Sequence, residues 1–142
     1  GTQHKSSRHD MNFQLERIKP NFVNRIDKFA DKKKSMSTRE MEKIYFDANF
    51  APCPAGFFHP ESYRIYEALQ CGTIPIVESV YNYFDNIYPN NPLIKIKKWN
   101  EAKAIIDNWS HDEILLKRRE CFDWWNQYLA DHKNFVRNKI YE

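Results

Sequence analysis

Met11, Leu15 and Ile18 recur at helical spacing until Pro20 stops the pattern. Ser7 and Asp10 make a capping arrangement ahead of them, which predicts a first helix of about three turns. Phe22–Phe29 alternates poorly and is expected to be a strand, followed by a charged loop. Ser37-Thr38-Arg39-Glu40 reads as a capping box that opens a second helix with Met41, Ile44, Tyr45 and Ala48 on its inner stripe. Phe50–Cys53 is a short apolar run broken by Pro54-Ala55-Gly56, and Pro60 suits the first position of a helix over Glu61–Gln70. Gly72 stands where a left-handed cap would end that helix, and Thr73–Val77 reads as a strand buried on both faces. Pro75 cannot donate to a ladder, so it belongs near a strand end.

Leu93–Ile96 is a further short strand, and Asn100 is expected to cap a helix facing inward through Ala102, Ile105, Ile106 and Trp109. Ser110–Glu113 repeats the capping-box pattern. The helix it opens carries Leu115, Phe122, Trp125 and Leu129 on one stripe, with Phe135, Val136 and Ile140 continuing or restarting it. Strands alternating with helices predict an α/β domain, a Rossmann-like parallel sheet with helices on both faces. Such sheets bind ligands beyond the carboxyl ends of their strands, which singles out the loop from Pro54 to Pro60.

The chain has 142 residues, enough for one domain with one core. Ten phenylalanines and four tryptophans imply that flat rings supply much of the packing. The net charge of +3 is spread among acidic neighbours, so there is no continuous nucleic-acid footprint, and a small phosphate-bearing ligand suits the balance. Lys32-Lys33-Lys34 reads as a solvated loop rather than a polyanion contact. Cys53, Cys71 and Cys121 are too few and too scattered for a disulfide framework or a zinc site. No stretch approaches the roughly 20 apolar residues of a membrane span. A soluble domain, cytoplasmic or Golgi-lumenal depending on source, is expected. The helical pattern so close to Gly1 suggests a piece of a longer chain.

Around the singled-out loop, three residues have complementary chemistry. Arg64 offers a planar fork of charged donors suited to phosphate oxygens, Ser62 lies at a helix start, and the Glu67 carboxylate suits vicinal hydroxyls. The spacing of Glu61, Arg64 and Glu67 also fits a plain surface ion-pair ladder. His59 could face a sugar or phosphate, or simply enter the helix. Tyr63 and Tyr66 read as packing residues or as stacking platforms for a base.

The run from Cys53 to Val77 resembles the signature of the exostosin-like glycosyltransferases, through Cys53, Pro54, Gly56, Ser62, Arg64, Glu67, Ala68, Cys71, Gly72, Ile74 and Pro75. That resemblance implies the C-terminal half of a GT-B enzyme, which binds a nucleoside diphosphate sugar, usually a UDP-sugar, without a catalytic metal. It implies donor contacts from Gly56, Ser62, Tyr63, Arg64 and Glu67, with Arg64 on the diphosphate and Glu67 on the ribose. Gly1 and Arg8 resemble the family's earlier glycine and basic residue, adding Arg8 as a diphosphate candidate. Ala55 replaces a common family arginine. His59 stands where retaining enzymes often have the first of two glutamates, which favours inversion. No Asp-x-Asp is present, so neither metal nor cofactor is expected. The acceptor, a glycan or glycoconjugate, and the general base are assigned to an N-terminal domain outside the chain. The competing expectation is a non-catalytic module docking a partner through its aromatic last helix.

Overall fold

The computed structural model describes residues 2–24, 35–56, 58–79 and 81–142, with side chains from Ser7 onward. Helix α1 spans Thr2–Leu15, α2 Thr38–Asp47, strand β1 Phe50–Cys53, α3 Tyr63–Gln70 and β2 Ile74–Glu78. Then follow α4 Tyr83–Ile87, β3 Ile94–Ile96, α5 Trp99–Asn108 and α6 His111–Tyr141. The strands form one parallel sheet in the order β1-β2-β3, so the architecture is mixed α/β with helices flanking the sheet. Helix α3 packs on β1 and β2, α5 on β3, α6 on α3 and β2, and α1 on α5.

Pro75 falls within the central strand, contrary to the rule that keeps proline at edges. The register explains its tolerance. Ile74 donates its amide to Asn49 at 3.0 Å, toward β1, so the next backbone nitrogen points toward β3. Pairing with β3 begins only at Ile76, and no donor is required one residue earlier.

The capping boxes at Ser37 and Ser110 form as expected, each serine and glutamate satisfying the other's backbone amide. Gly72 takes a left-handed backbone with φ of 66° after α3. Several boundaries differ from the sequence reading. Ser7 lies in the middle of α1, because the helix already runs from Thr2. Helix α3 starts after Ser62, leaving Pro60 in the loop. Asn100 lies inside α5; the carboxylate of Glu101 caps that helix instead, accepting from the amides of Lys98 at 3.0 Å and Lys97 at 3.2 Å. The weak strand over Phe22–Phe29 falls mostly outside the described residues, as do the three consecutive lysines, and its described start is not strand. Helix α4 was not anticipated: its five residues are too few to show a period.

Helix α6 is one continuous element of 31 residues; of the expected stripe Trp125 packs against the core and Leu129 is half-buried, while the first half of the helix is rolled from the expected face. Ile114 and Cys121 are buried, whereas Leu115 and Phe122 are 50% and 46% exposed. Both stripes are apolar at the same spacing, so the partner surface decides between them. Arg118 decides it here, donating to Gly72 O at 2.9 Å, Phe46 O at 2.8 Å and Asn49 Oδ1 at 3.2 Å. These bonds place a cation on the last turn of α2, where the helix dipole favours one.

The core gathers Ile65, Leu69, Ile74, Ile76, Phe84, Ile96 and Trp99. All three cysteines are free and buried. Burial pushes the thiols of Cys53 and Cys121 up to about 12 and raises that of Cys71. A thiol-disulfide reagent at pH 8 is therefore expected to leave the native chain essentially unreacted and to titrate three thiols once denaturant is added. Fast reaction of a native thiol would contradict this packing.

Candidate functional site

The loop between β1 and α3 folds tightly back on itself. A Cβ placed on Gly56 would stand 2.5 Å from the carbonyl oxygen of Glu61 and 3.1 Å from that of His59, so no side chain fits. Gly56→Ala is expected to destabilise the chain by about 1–3 kcal/mol, the usual cost of forcing extra atoms into a packed site. A denaturant midpoint equal to that of the wild type would show that the loop can open without penalty.

A cluster of tyrosines holds the end of this loop. The carboxylate of Glu61 accepts hydroxyl bonds from Tyr66 at 3.1 Å, Tyr83 at 3.2 Å and Tyr88 at 2.9 Å. The hydroxyls of Tyr66 and Tyr88 are themselves 2.5 Å apart. Burial, then hydrogen bonding to Tyr66 and Glu61, raises the Tyr88 phenol above its ordinary range. Tyr88 packs edge-on against Trp124 and Tyr128, and Tyr66 packs against Trp125, so the loop is braced by α4 and α6 together.

Glu61 is thus engaged by phenols, and Glu67 accepts from the Tyr45 hydroxyl at 3.1 Å. No ion pair joins Arg64 to either glutamate among the described residues. The surface-ladder alternative therefore fails, because both carboxylates turn to other partners. Tyr66 is a packing residue. Tyr63 is not, being 85% exposed. His59 is exposed and lies three residues before the cap of α3, so it does not enter the helix.

Ser62 occupies the N-cap position with an extended backbone, yet its side chain caps nothing. Its Oγ is buried without a hydrogen-bond partner. Such a group ordinarily costs about 1–3 kcal/mol. Arg64 follows in the first turn of α3. Its positive charge acts on the Cys53 thiol at the carboxyl end of β1, on the Tyr45 phenol and on Arg8 of α1. Partial burial, then repulsion from Arg64, pulls the Arg8 pKa below its ordinary value. Arg8 thus lies within the field of Arg64, and neither is paired with a described carboxylate.

Glu67 lies one turn further along α3, where its carboxylate meets Tyr45 of α2. With Tyr45, Met41, Thr38 and Gln70 it lines a cavity of about 180 Å³ between the two helices. Of the residues singled out in the sequence, Ser62 and Arg64 stand at the start of α3, Arg8 on α1, Gly56 in the loop before α3 and Glu67 beside the hollow against α2. Gly1 lies outside the described residues.

The sequence matches the family described as RXYLT1 C-terminal domain over residues 1–141. This chain belongs to that family. It is 31% identical over 134 residues to ribitol-5-phosphate xylosyltransferase 1 of Mus musculus, covering 72% of this chain and 30% of that protein. The proteins of the same name from Danio rerio and Homo sapiens are 25% and 29% identical, covering 76% and 68% of this chain. The RXYLT1-type chain thus spans 26–30% of the length of these relatives. No solved structure matches it. The relatives' names agree with the glycosyltransferase class that the exostosin-like run implies.

Sequence reasoning missed the supports of this candidate site. Tyr45 was read only as part of the inner stripe of α2, and Tyr83 and Tyr88 received no role, although a tyrosine-rich segment directly after a buried strand was visible from Tyr81 to Tyr88. Glu78 was also passed over. A carboxylate closing an apolar run was its signal, since that position in a parallel sheet faces the ligand edge.

Proposed function

We propose that this chain is the donor-binding half of a GT-B glycosyltransferase of exostosin-like type. Arg8 and Arg64 grip the diphosphate of a nucleoside diphosphate sugar, with UDP the favoured nucleotide. The observation that carries this reading is Arg64 in the first turn of α3, with no described carboxylate paired to it and Arg8 within its field. Such a pair is unfavourable alone and becomes favourable around a polyanion, for which arginine forks are well shaped. Ser62 Oγ would supply a further hydrogen bond to the phosphate, and the hollow beside Glu67 would take the ribose hydroxyls.

The relatives' names suggest xylose as the sugar and ribitol-5-phosphate as the acceptor. In an inverting transfer, an acceptor oxygen attacks the anomeric carbon opposite the diphosphate. The bond from carbon to diphosphate oxygen breaks, and the acceptor proton passes to a general base. This half would stabilise the departing diphosphate with fixed positive charge, the role a metal plays in enzymes bearing Asp-x-Asp, which this sequence lacks. The base and acceptor site are assigned to a second domain, so the isolated chain should bind nucleotide and turn over poorly.

Isothermal titration with UDP and UDP-xylose should give saturable heat, and amide shifts should centre on Ser62–Glu67. Silence in both measurements would discard the donor reading in favour of the docking module.

A further inference from the structure

Glu78 closes β2 at the carboxyl edge of the sheet. One of its oxygens, Oε2, accepts hydrogen bonds from the Ser7 hydroxyl of α1 and from the Trp99 indole at 3.1 Å, at the start of α5. The indole nitrogen also lies 3.3 Å from Ser7 Oγ. A single carboxylate oxygen therefore joins the central strand, α1 and α5. Among the described side chains of α1, Ser7 makes the polar tie to the rest of the molecule. The remaining anchorage is apolar, through Met11 and Leu15. Apolar contact is non-directional and leaves a helix free to slide or roll by small amounts. A hydrogen bond to a charged acceptor fixes both position and rotation.

Arg8 is the next residue after Ser7, rotated by about 100° on the helix, so whatever fixes Ser7 also fixes where Arg8 projects. We propose that Glu78 is a positioning residue for donor binding: by holding Ser7, it fixes α1 and with it the neighbouring Arg8. The role rests on the reading of the two arginines as the diphosphate grip. It requires neither contact between Glu78 and nucleotide nor a change in the charge of Arg8.

The test uses the full chain with Glu78→Ala, Glu78→Gln, Arg8→Gln and the Glu78→Ala, Arg8→Gln pair, with UDP as probe. Glu78→Ala should weaken UDP binding by about tenfold, and Glu78→Gln, which keeps an oxygen for both donors, should recover most of that loss. In the Arg8→Gln background, Glu78→Ala should have little further effect, because residues acting through one another are not additive. A full extra loss in that background, or no loss in the wild-type background, overturns the proposal. Hydrogen exchange without ligand provides the independent arm. Glu78→Ala should speed exchange in α1 while leaving α3 unchanged, and an unchanged α1 also overturns it. A wild-type chain that binds no UDP overturns the donor reading and with it the purpose given to Glu78. Exchange would then still report whether Glu78 anchors α1.

Discussion

Arg64→Gln is expected to weaken UDP binding by about one to two orders of magnitude, the range of roughly 1.5–3 kcal/mol for hydrogen bonds to charged groups. Arg64 stands in the first turn of α3, beside the amides that the helix start leaves unpaired. Its loss removes the donor fork and part of the positive field at that helix end. Arg64→Lys should fall between, since it keeps the charge and loses the planar fork. Arg8→Gln should cost less than Arg64→Gln, because Arg8 bears both partial burial and the repulsion of Arg64 in the free chain. Removing Arg8 relieves that repulsion while it removes a contact, and the two effects oppose. Neither glutamine variant should lower thermal stability, as neither arginine is paired with a described carboxylate. Titration calorimetry at two salt concentrations checks both points, since losing a cation should also flatten the salt dependence. Unaltered affinity in Arg64→Gln would remove the foundation of the donor site.

The sequence carried the parallel α/β arrangement because its signals there are local. Two capping boxes, a left-handed glycine and the apolar runs at β1 and β2 each act within a few residues. The face of the first half of α6 was misjudged because Leu115 and Phe122 share the spacing of Ile114 and Cys121, whereas Trp125 does pack inward. Only the contacts of Arg118 with Gly72 and Phe46 choose between the two rows, and these span more than forty residues. The same division runs through the site. Ser62, Arg64 and Glu67 were legible as residue types at a helix start, whereas their different surroundings were not. Nothing in the spacing of Glu61 and Glu67 tells that one meets three phenols and the other meets Tyr45 across the neighbouring helix. The repulsion between Arg8 and Arg64 likewise appears only once α1 is laid across the sheet edge.

Trp99→Ala should have the largest effect on stability, a loss of about 3–5 kcal/mol, typical of truncating a buried tryptophan. The ring is fully buried at the junction of β3 and α5. Its removal deletes that packing and the indole bond to Glu78 together. Set against the 5–15 kcal/mol total of a typical domain, the loss should leave a visible unfolded population at moderate temperature. Trp99→Phe separates the two contributions. Phenylalanine refills most of the volume and cannot donate to Glu78, so its deficit should be about 1–2 kcal/mol, a partly satisfied buried acceptor plus a small void. Urea unfolding followed by circular dichroism measures both, and a Trp99→Ala chain within about 1 kcal/mol of the wild type would be incompatible with the burial of this ring. Because the indole and Ser7 share one oxygen of Glu78, Trp99→Phe should also loosen α1 while the sheet stays folded. The core and the Glu78 tie to α1 meet at this residue, so a change made for stability there also tests the proposed holding of Arg8.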